Sequence, residues 1–169
     1  MMRATLPGQN GGSPTQTPLS QEAHDRLRAE LADLVTRGRI EISRAIEAAR
    51  ALGDLSENGD YHAAKDAQGK MEARIRQIEA MLGNAVVVDD AETDGSVVGA
   101  GSMVSIRYEG DDDVERCLIG SIEERVEGAT IVSPSSPLGQ ALVGRSPGDL
   151  VSYDAPGGTL KVEIVAIGE

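Results

Sequence analysis

The sequence has no Phe and no Trp, only three Tyr (Tyr61, Tyr108 and Tyr153), and a single Cys, Cys117, in 169 residues. Aliphatic side chains must therefore supply nearly all of the burial, and pockets walled by aromatic rings are not expected. One cysteine excludes an intramolecular disulfide and a thiolate zinc cage, and it fits a reducing compartment. Its setting, Cys117-Leu118-Ile119, is apolar, which predicts a buried structural thiol rather than a reactive one. No apolar run is long enough to span a bilayer, and Met1 to Pro18 contains no apolar stretch of the signal-peptide kind. A soluble, unexported, cytoplasmic protein with no membrane partner is expected.

Basic residues are scarce in one half. Residues 85–169 hold 5 Lys/Arg against 16 Asp/Glu, whereas residues 1–84 hold 11 against 12, for a formal net charge of -12 overall. Such a chain repels phosphate backbones, so binding to DNA or RNA on its own is not expected and a protein partner fits better.

Residues 1–18 mix prolines, glycines and polar residues and predict a disordered arm. Ser20, ahead of Gln21-Glu22, suits a helix N-cap. From there Leu27, Leu31, Leu34, Gly38, Ile42, Ala45, Ala49 and Leu52 step by 4, 3, 4, 4, 3, 4 and 3, a coiled-coil seam with one stutter. A second stripe, Met71, Ile75, Ile78 and Leu82, preceded by Tyr61 and Ala64, answers it, and Gly83-Asn84 is a stop signal. The reading is an α+β protein: an N-terminal antiparallel α-helical coiled-coil hairpin over 19–84, with its tip at 53–60, followed by a mostly antiparallel α+β domain over 85–169. A first helix of about 33 residues would be on the order of 50 Å long. Strand patterns fall at Ala85 to Val88, Met103 to Tyr108, Arg116 to Ile119, Thr130 to Val132, Leu150 to Tyr153 and Leu160 to Ile167, with a short helix over Pro137 to Val143.

The tip carries Asp54 and Glu57. Asp-x-x-Glu before a helix is the spacing of a capping box, which by itself would account for both acids. The pair could instead hold Mg²⁺, if both acids stood within about 6 Å on a first helical turn. Mg²⁺ demands octahedral oxygen ligation, however, and two exposed carboxylates bind it weakly. A glycosidase pair needs a concave sugar site that a hairpin tip lacks. Acids on an exposed tip make chemical sense when they enter another molecule's site, there recruiting a metal ion and orienting a water for phosphodiester hydrolysis.

The stretch Ala51-Leu52-Gly53-Asp54-Leu55-Ser56-Glu57-Asn58-Gly59-Asp60-Tyr61-His62-Ala63-Ala64-Lys65 resembles the tip signature of the Gre family of bacterial transcript-cleavage factors. Glu72 to Glu79, Ser136-Pro137-Leu138-Gly139-Gln140-Ala141-Leu142-Val143-Gly144 and Pro156-Gly157-Gly158 resemble later parts of that family, in its order. The resemblance implies a monomeric factor that binds RNA polymerase, passes its coiled coil through the secondary channel and helps the polymerase cleave the 3′ end of backtracked nascent RNA. It implies no enzyme activity and no cofactor of its own: Asp54 and Glu57 would share Mg²⁺ held in the polymerase, and any contact with DNA would be indirect. RNA or polymerase contact is implied near Arg50, Ser56, Asn58 and Lys65. The resemblance also implies an FKBP-like C-terminal domain that docks near Ser136, Pro137 and Leu138. Ser56 stands where many relatives carry a basic residue, Gly59 where Ala is common and Asp60 where Glu is usual.

Two alternatives remain at this point. A Gre-like regulator could block the channel without cleavage. A prolyl isomerase or chaperone would suit an FKBP-like domain, yet its pocket needs aromatics that the C-terminal half lacks. On the hairpin, Asp33 with Arg37, Asp66 with Lys70 and Glu72 with Arg76 are paired at i, i+4, whereas Arg39, Lys65 and Arg74 have no acid at helical spacing and are candidates to steer RNA or grip the channel. His62, with no second His or Cys nearby, reads as exposed, and Asp111-Asp112-Asp113 as an acidic turn rather than a calcium loop.

Overall fold

The structure is a computed structural model, and it describes residues 16–88 and 94–168. Chain order is β1 (Thr17–Leu19), α1 (Gln21–Asp33), a π-helical segment (Leu34–Gly38), α2 (Arg39–Ala51), α3 (Gly59–Gly83), β2 (Ala85–Val87), β3 (Met103–Tyr108), β4 (Val114–Ile119), β5 (Thr130–Val132), α4 (Pro137–Leu142), β6 (Leu150–Ala155) and β7 (Gly158–Ile167). Each strand and helix expected from the sequence is present.

Ser20 caps α1 as its type predicts: the hydroxyl accepts the Ala23 N–H at 3.1 Å. From α1 to α2 the backbone runs as one rod, on the order of 45 Å long. Its inward residues are Leu27, Leu31, Leu34, Gly38, Ile42, Ile46 and Ala49, all buried or half-buried. The expected seam is thus corrected near the tip: Ala45 is exposed and Ile46 takes its place, and Leu52 is 75% exposed. Three consecutive steps of four would carry the stripe about 120° around a regular α-helix. The π segment absorbs that drift, with the Arg39 N–H donating to the Leu34 carbonyl five residues back. Thr36 supports the wider turn by donating from Oγ1 to the Ala32 carbonyl at 2.6 Å. Across the seam α3 presents Ala64, Ile75 and Ile78, all buried. Each isoleucine contributes about 1.5–3 kcal/mol of apolar burial.

At the base of the hairpin, β1 and β2 pair in parallel, Thr17 opposite Ala85 and Leu19 opposite Val87. Thr17 and Pro18, expected within a disordered arm, are therefore part of a strand; residues 1–15 of that arm lie outside the described residues. The local signal was hidden because a three-residue strand has no periodicity to read. Leu19 is what anchors it, fully buried with Ala23, Leu27 and Ile78.

The C-terminal sheet has the order β5-β4-β3-β7-β6, antiparallel except for β4 with β5, and its β3–β7 register shifts between Ser105 and Ile106. Val104, Ile106, Val162 and Ile164 alternate inward from the two central strands, as period-2 burial requires. Helix α4 packs Leu142 into this core. It can approach so closely because residue 139 is glycine: a Cβ there would lie 2.0 Å from the Ser133 carbonyl oxygen. Cys117 is in the same core, and burial pushes its thiol up to about 11, which leaves it protonated and unreactive. Asp111 accepts the Asp113 N–H at 3.3 Å, so the triple-acid segment is indeed a turn.

Candidate functional site

The tip is built by two helix ends. Helix α2 closes with the Leu52 and Gly53 N–H groups bonded back to Ala49 and Arg50, and Gly53 takes φ +116°, a conformation that favours glycine. Helix α3 is capped by Asn58. Its Oδ1 accepts the Tyr61 N–H at 3.1 Å, while its Nδ2 donates to the Ala49 carbonyl at 2.6 Å. One amide side chain thus starts α3 and ties it to the end of α2.

That arrangement corrects the capping-box expectation. Asp54 is four residues ahead of the cap and turns on itself, accepting the Ser56 N–H at 3.0 Å and the Ser56 hydroxyl at 2.9 Å. These bonds, the backbone one first, hold its carboxyl below the usual range. Glu57 has no hydrogen-bond or ion-pair partner among the described residues. Neither acid sits on a helical turn, so the expected approach across a first turn does not occur. Both instead line an open hollow with Leu52, Asn58, Gly59 and Asp60. Asp60, in the first turn of α3, is the carboxylate that the two-acid reading left out. Its signal was present in the sequence, since an acid is favoured near a helix N-terminus. Among the described residues no three His, Cys, Asp or Glu side chains are placed to hold a metal ion. Two or three solvent-facing carboxylates are hard oxygen donors that suit Mg²⁺ but cannot complete its shell.

The remaining tip residues brace rather than project. The Arg50 guanidinium lies 5.8 Å from the Tyr61 ring centroid. Tyr61 meets His62 edge to face at 5.7 Å, and His62 Nε2 is 3.4 Å from the Ser56 carbonyl. Asn58 and Ser56, expected as partner contacts, serve first as cap and as Asp54's donor.

Of the three cations without an acid at helical spacing, two are corrected. Arg39 grips Glu72 across the hairpin through two bonds of 2.9 Å, so Glu72 pairs with Arg39 and not with Arg76. Arg74 binds Glu30 and Glu123. Partners 33 or more residues away leave no trace in helical spacing. Lys65 has no carboxylate partner among the described residues and donates to Gln68 at 2.8 Å. Asp33 with Arg37 and Asp66 with Lys70 pair as expected.

At the other end of the molecule, Ser136 caps α4 by accepting the Gly139 N–H at 3.0 Å, and Leu138 packs against the core. Pro137 alone of the three expected docking residues is exposed.

These elements define a class of protein: a long two-helix arm carrying exposed acids away from a small α+β platform. Two family descriptions match almost its whole length, "Transcription elongation factor, N-terminal" over residues 17–87 and "Transcription elongation factor, GreA/GreB, C-term" over residues 91–169. Transcription elongation factor GreA of Saccharopolyspora erythraea is 46% identical, covering 90% of this chain and 95% of its own; that of Mycobacteroides abscessus is 47% identical, covering 85% and 88%. The crystal structure of GreA factor homolog 1 (Gfh1) of Thermus thermophilus is 28% identical over 91% of this chain and 99% of its own, with a TM-score of 0.38. The chain belongs to the GreA/GreB family of transcription elongation factors. Among the described residues no helix is long and apolar enough to cross a membrane.

Proposed function

We propose that this chain binds RNA polymerase in the cytoplasm as a monomer, inserts its tip through the secondary channel and stimulates the polymerase's own Mg²⁺-dependent cleavage of backtracked nascent RNA. The observation that carries this reading is that Asn58, not Asp54, caps α3. Asp54 and Glu57 have no structural duty to the helix and face solvent at the end of a rod on the order of 45 Å long. Membership of the family supports the partner.

In the complex, Asp54 and Glu57 would complete the oxygen shell of an Mg²⁺ ion held in the polymerase, which supplies charge neutralisation at the phosphate. Asp54, kept ionised by Ser56, has one oxygen aimed by those two bonds. Glu57, without a partner among the described residues, would be free to turn toward the ion and orient an attacking water. The polymerase carries the chemistry, and this chain is an accessory factor rather than an enzyme. We read the hairpin as residues 19–84 and the rest, 85–169, as an FKBP-like docking domain, on the grounds of its curled five-stranded sheet and the short helix α4. The exposed Pro137 is the residue of α4 best placed to touch the polymerase. A prolyl isomerase reading gains nothing: the hollow beside α4 is lined by Ser135, Pro137, Gln140, Ala141, Ser152, Tyr153 and Asp154, with one aromatic ring.

The test is RNA release from a defined backtracked elongation complex with Mg²⁺. Asp54→Ala and Glu57→Ala should each lower the stimulated rate by about 100-fold or more while still competing for polymerase. A wild-type protein that competes but never stimulates cleavage would make it a channel-blocking regulator, and one that does not compete would sink the polymerase partner altogether.

A further inference from the structure

Away from the tip, charged contacts concentrate where the loop between β4 and β5 meets the base of the arm. Ser121 turns that loop, its hydroxyl accepting the Glu123 N–H at 3.2 Å and its carbonyl the Glu124 N–H at 3.0 Å. The turn aims consecutive carboxylates at different helices. Glu124 accepts the N–H and the hydroxyl of Ser20, at the start of α1, at 2.7 and 2.6 Å. Glu123 accepts from Nη1 and Nη2 of Arg74, on α3, at 2.9 and 3.2 Å, and its carbonyl accepts from Arg26. The other edge of the same guanidinium donates to Glu30 of α1, from Nε at 2.7 Å and Nη2 at 2.9 Å. A last bond, Nη1 to Gln77 at 3.0 Å, engages the remaining donor.

We propose that Arg74 is a positioning residue that sets the angle at which the arm leaves the platform, and so the place where the tip acids arrive. Its effect on cleavage rests on the polymerase reading above; its effect on geometry does not. Within one planar group the guanidinium joins α1 through Glu30, α3 through Gln77 and the platform through Glu123. Exposed ion pairs contribute little, but here the Arg74 and Glu123 side chains retain 29% and 15% of their exposure, and the fork is bidentate on two sides. Arg74 is about 22 Å along α3 from the tip, so a 10° swing at the base displaces the tip by about 4 Å. Misplacement by about 1 Å can cost on the order of 100-fold in rate where reacting groups must be aligned. A lysine would keep the charge but has no planar fork to hold two carboxylates in place.

The experiment attaches spin labels to cysteines introduced at exposed Ala45 on the arm and Asp112 on the platform; buried Cys117 does not label. Distance distributions, thermal midpoint, competition for polymerase and RNA cleavage are measured for the doubly labelled parent, Arg74→Met and Arg74→Lys. We expect one narrow distance in the parent and a broadened distribution in both variants, with cleavage reduced about tenfold or more. Competition for polymerase should be nearly unchanged, while the thermal midpoint of Arg74→Met should fall by about a few degrees with the fold retained, because Glu30 and Glu123 lose their shared donor. An unaltered distribution in Arg74→Met overturns the proposal, as does a broadened one with undiminished cleavage. A lysine variant that behaves as the parent overturns the role of the fork. Should the parent stimulate no cleavage, the cleavage reading falls, and the distances alone decide whether Arg74 holds the arm.

Discussion

The two ends of the arm use the same residue types to opposite effect. At the base, Glu30, Glu123 and Glu124 are all engaged by Arg74 and Ser20. At the tip, Asp54 is bonded only within its own turn and Glu57 is unpaired among the described residues. A serine or asparagine caps the helix at each end, which frees the acids from that task in both places. What separates the carboxylates of the base from those of the tip is therefore whether donors on another element reach them, the Arg74 guanidinium or the Ser20 cap, and not the local motif.

The largest difference should come from removing acids at the two ends. Asp54→Ala and Glu57→Ala should abolish the greater part of cleavage stimulation yet leave the urea midpoint where it was. Loss of stability in step with activity would return these residues to a structural role. Next in size are seam substitutions. Ile46→Ala should destabilise by about 2–4 kcal/mol, as for a large-to-small change at a buried site, whereas Ala45→Ser should cost less than about 0.5 kcal/mol. Equal effects would place the seam on Ala45 and argue against the π segment.

The caps sharpen the contrast further. Asn58→Ala should cost about 1 kcal/mol and speed amide exchange in the first turn of α3. Ser20→Ala should cost about 2 kcal/mol, because it removes a cap and leaves a half-buried Glu124 short of a donor. The reverse order would mean that Glu124 is satisfied by water. The smallest effect is in the pH dependence. Glu123 is lowered by its bonds to Arg74, so it binds fewer protons folded than unfolded. Its contribution is complete above the ordinary carboxylate range and is lost as pH falls through the lowered value, from about pH 5 downward. Urea midpoints taken over that range should fall less steeply in Glu123→Gln than in the wild type, and parallel slopes would remove Glu123 from the account.

Much of the fold was legible because it depends on periodicity. Val104, Ile106, Val162 and Ile164 alternate, and Met71, Ile75, Ile78 and Leu82 step by four and three, so the strands and α3 followed from local pattern. The acidic tip was also legible, since a polar turn between matched stripes admits few structures. What was hidden depended on distance or on one inserted residue. The π turn moves the seam from Ala45 to Ile46 without altering composition. Arg39 with Glu72 and Arg74 with Glu123 join residues 33 and 49 positions apart, and no spacing rule reaches that far. Asn58 is hard to read as a cap in the sequence because Asp54 begins the more familiar Asp-x-x-Glu spacing four residues earlier.

The parallel pairing of Thr17–Leu19 with Ala85–Val87 brings the start and finish of the arm side by side. Everything between them is an excursion that returns to where it began. A heptad added to each helix would lengthen the excursion by about 10 Å and keep the seam in phase, with neither the platform nor the acidic turn rebuilt. Reach is thus a separately adjustable dimension, and protein engineers could use this chain as a depth gauge for the channel it is proposed to enter.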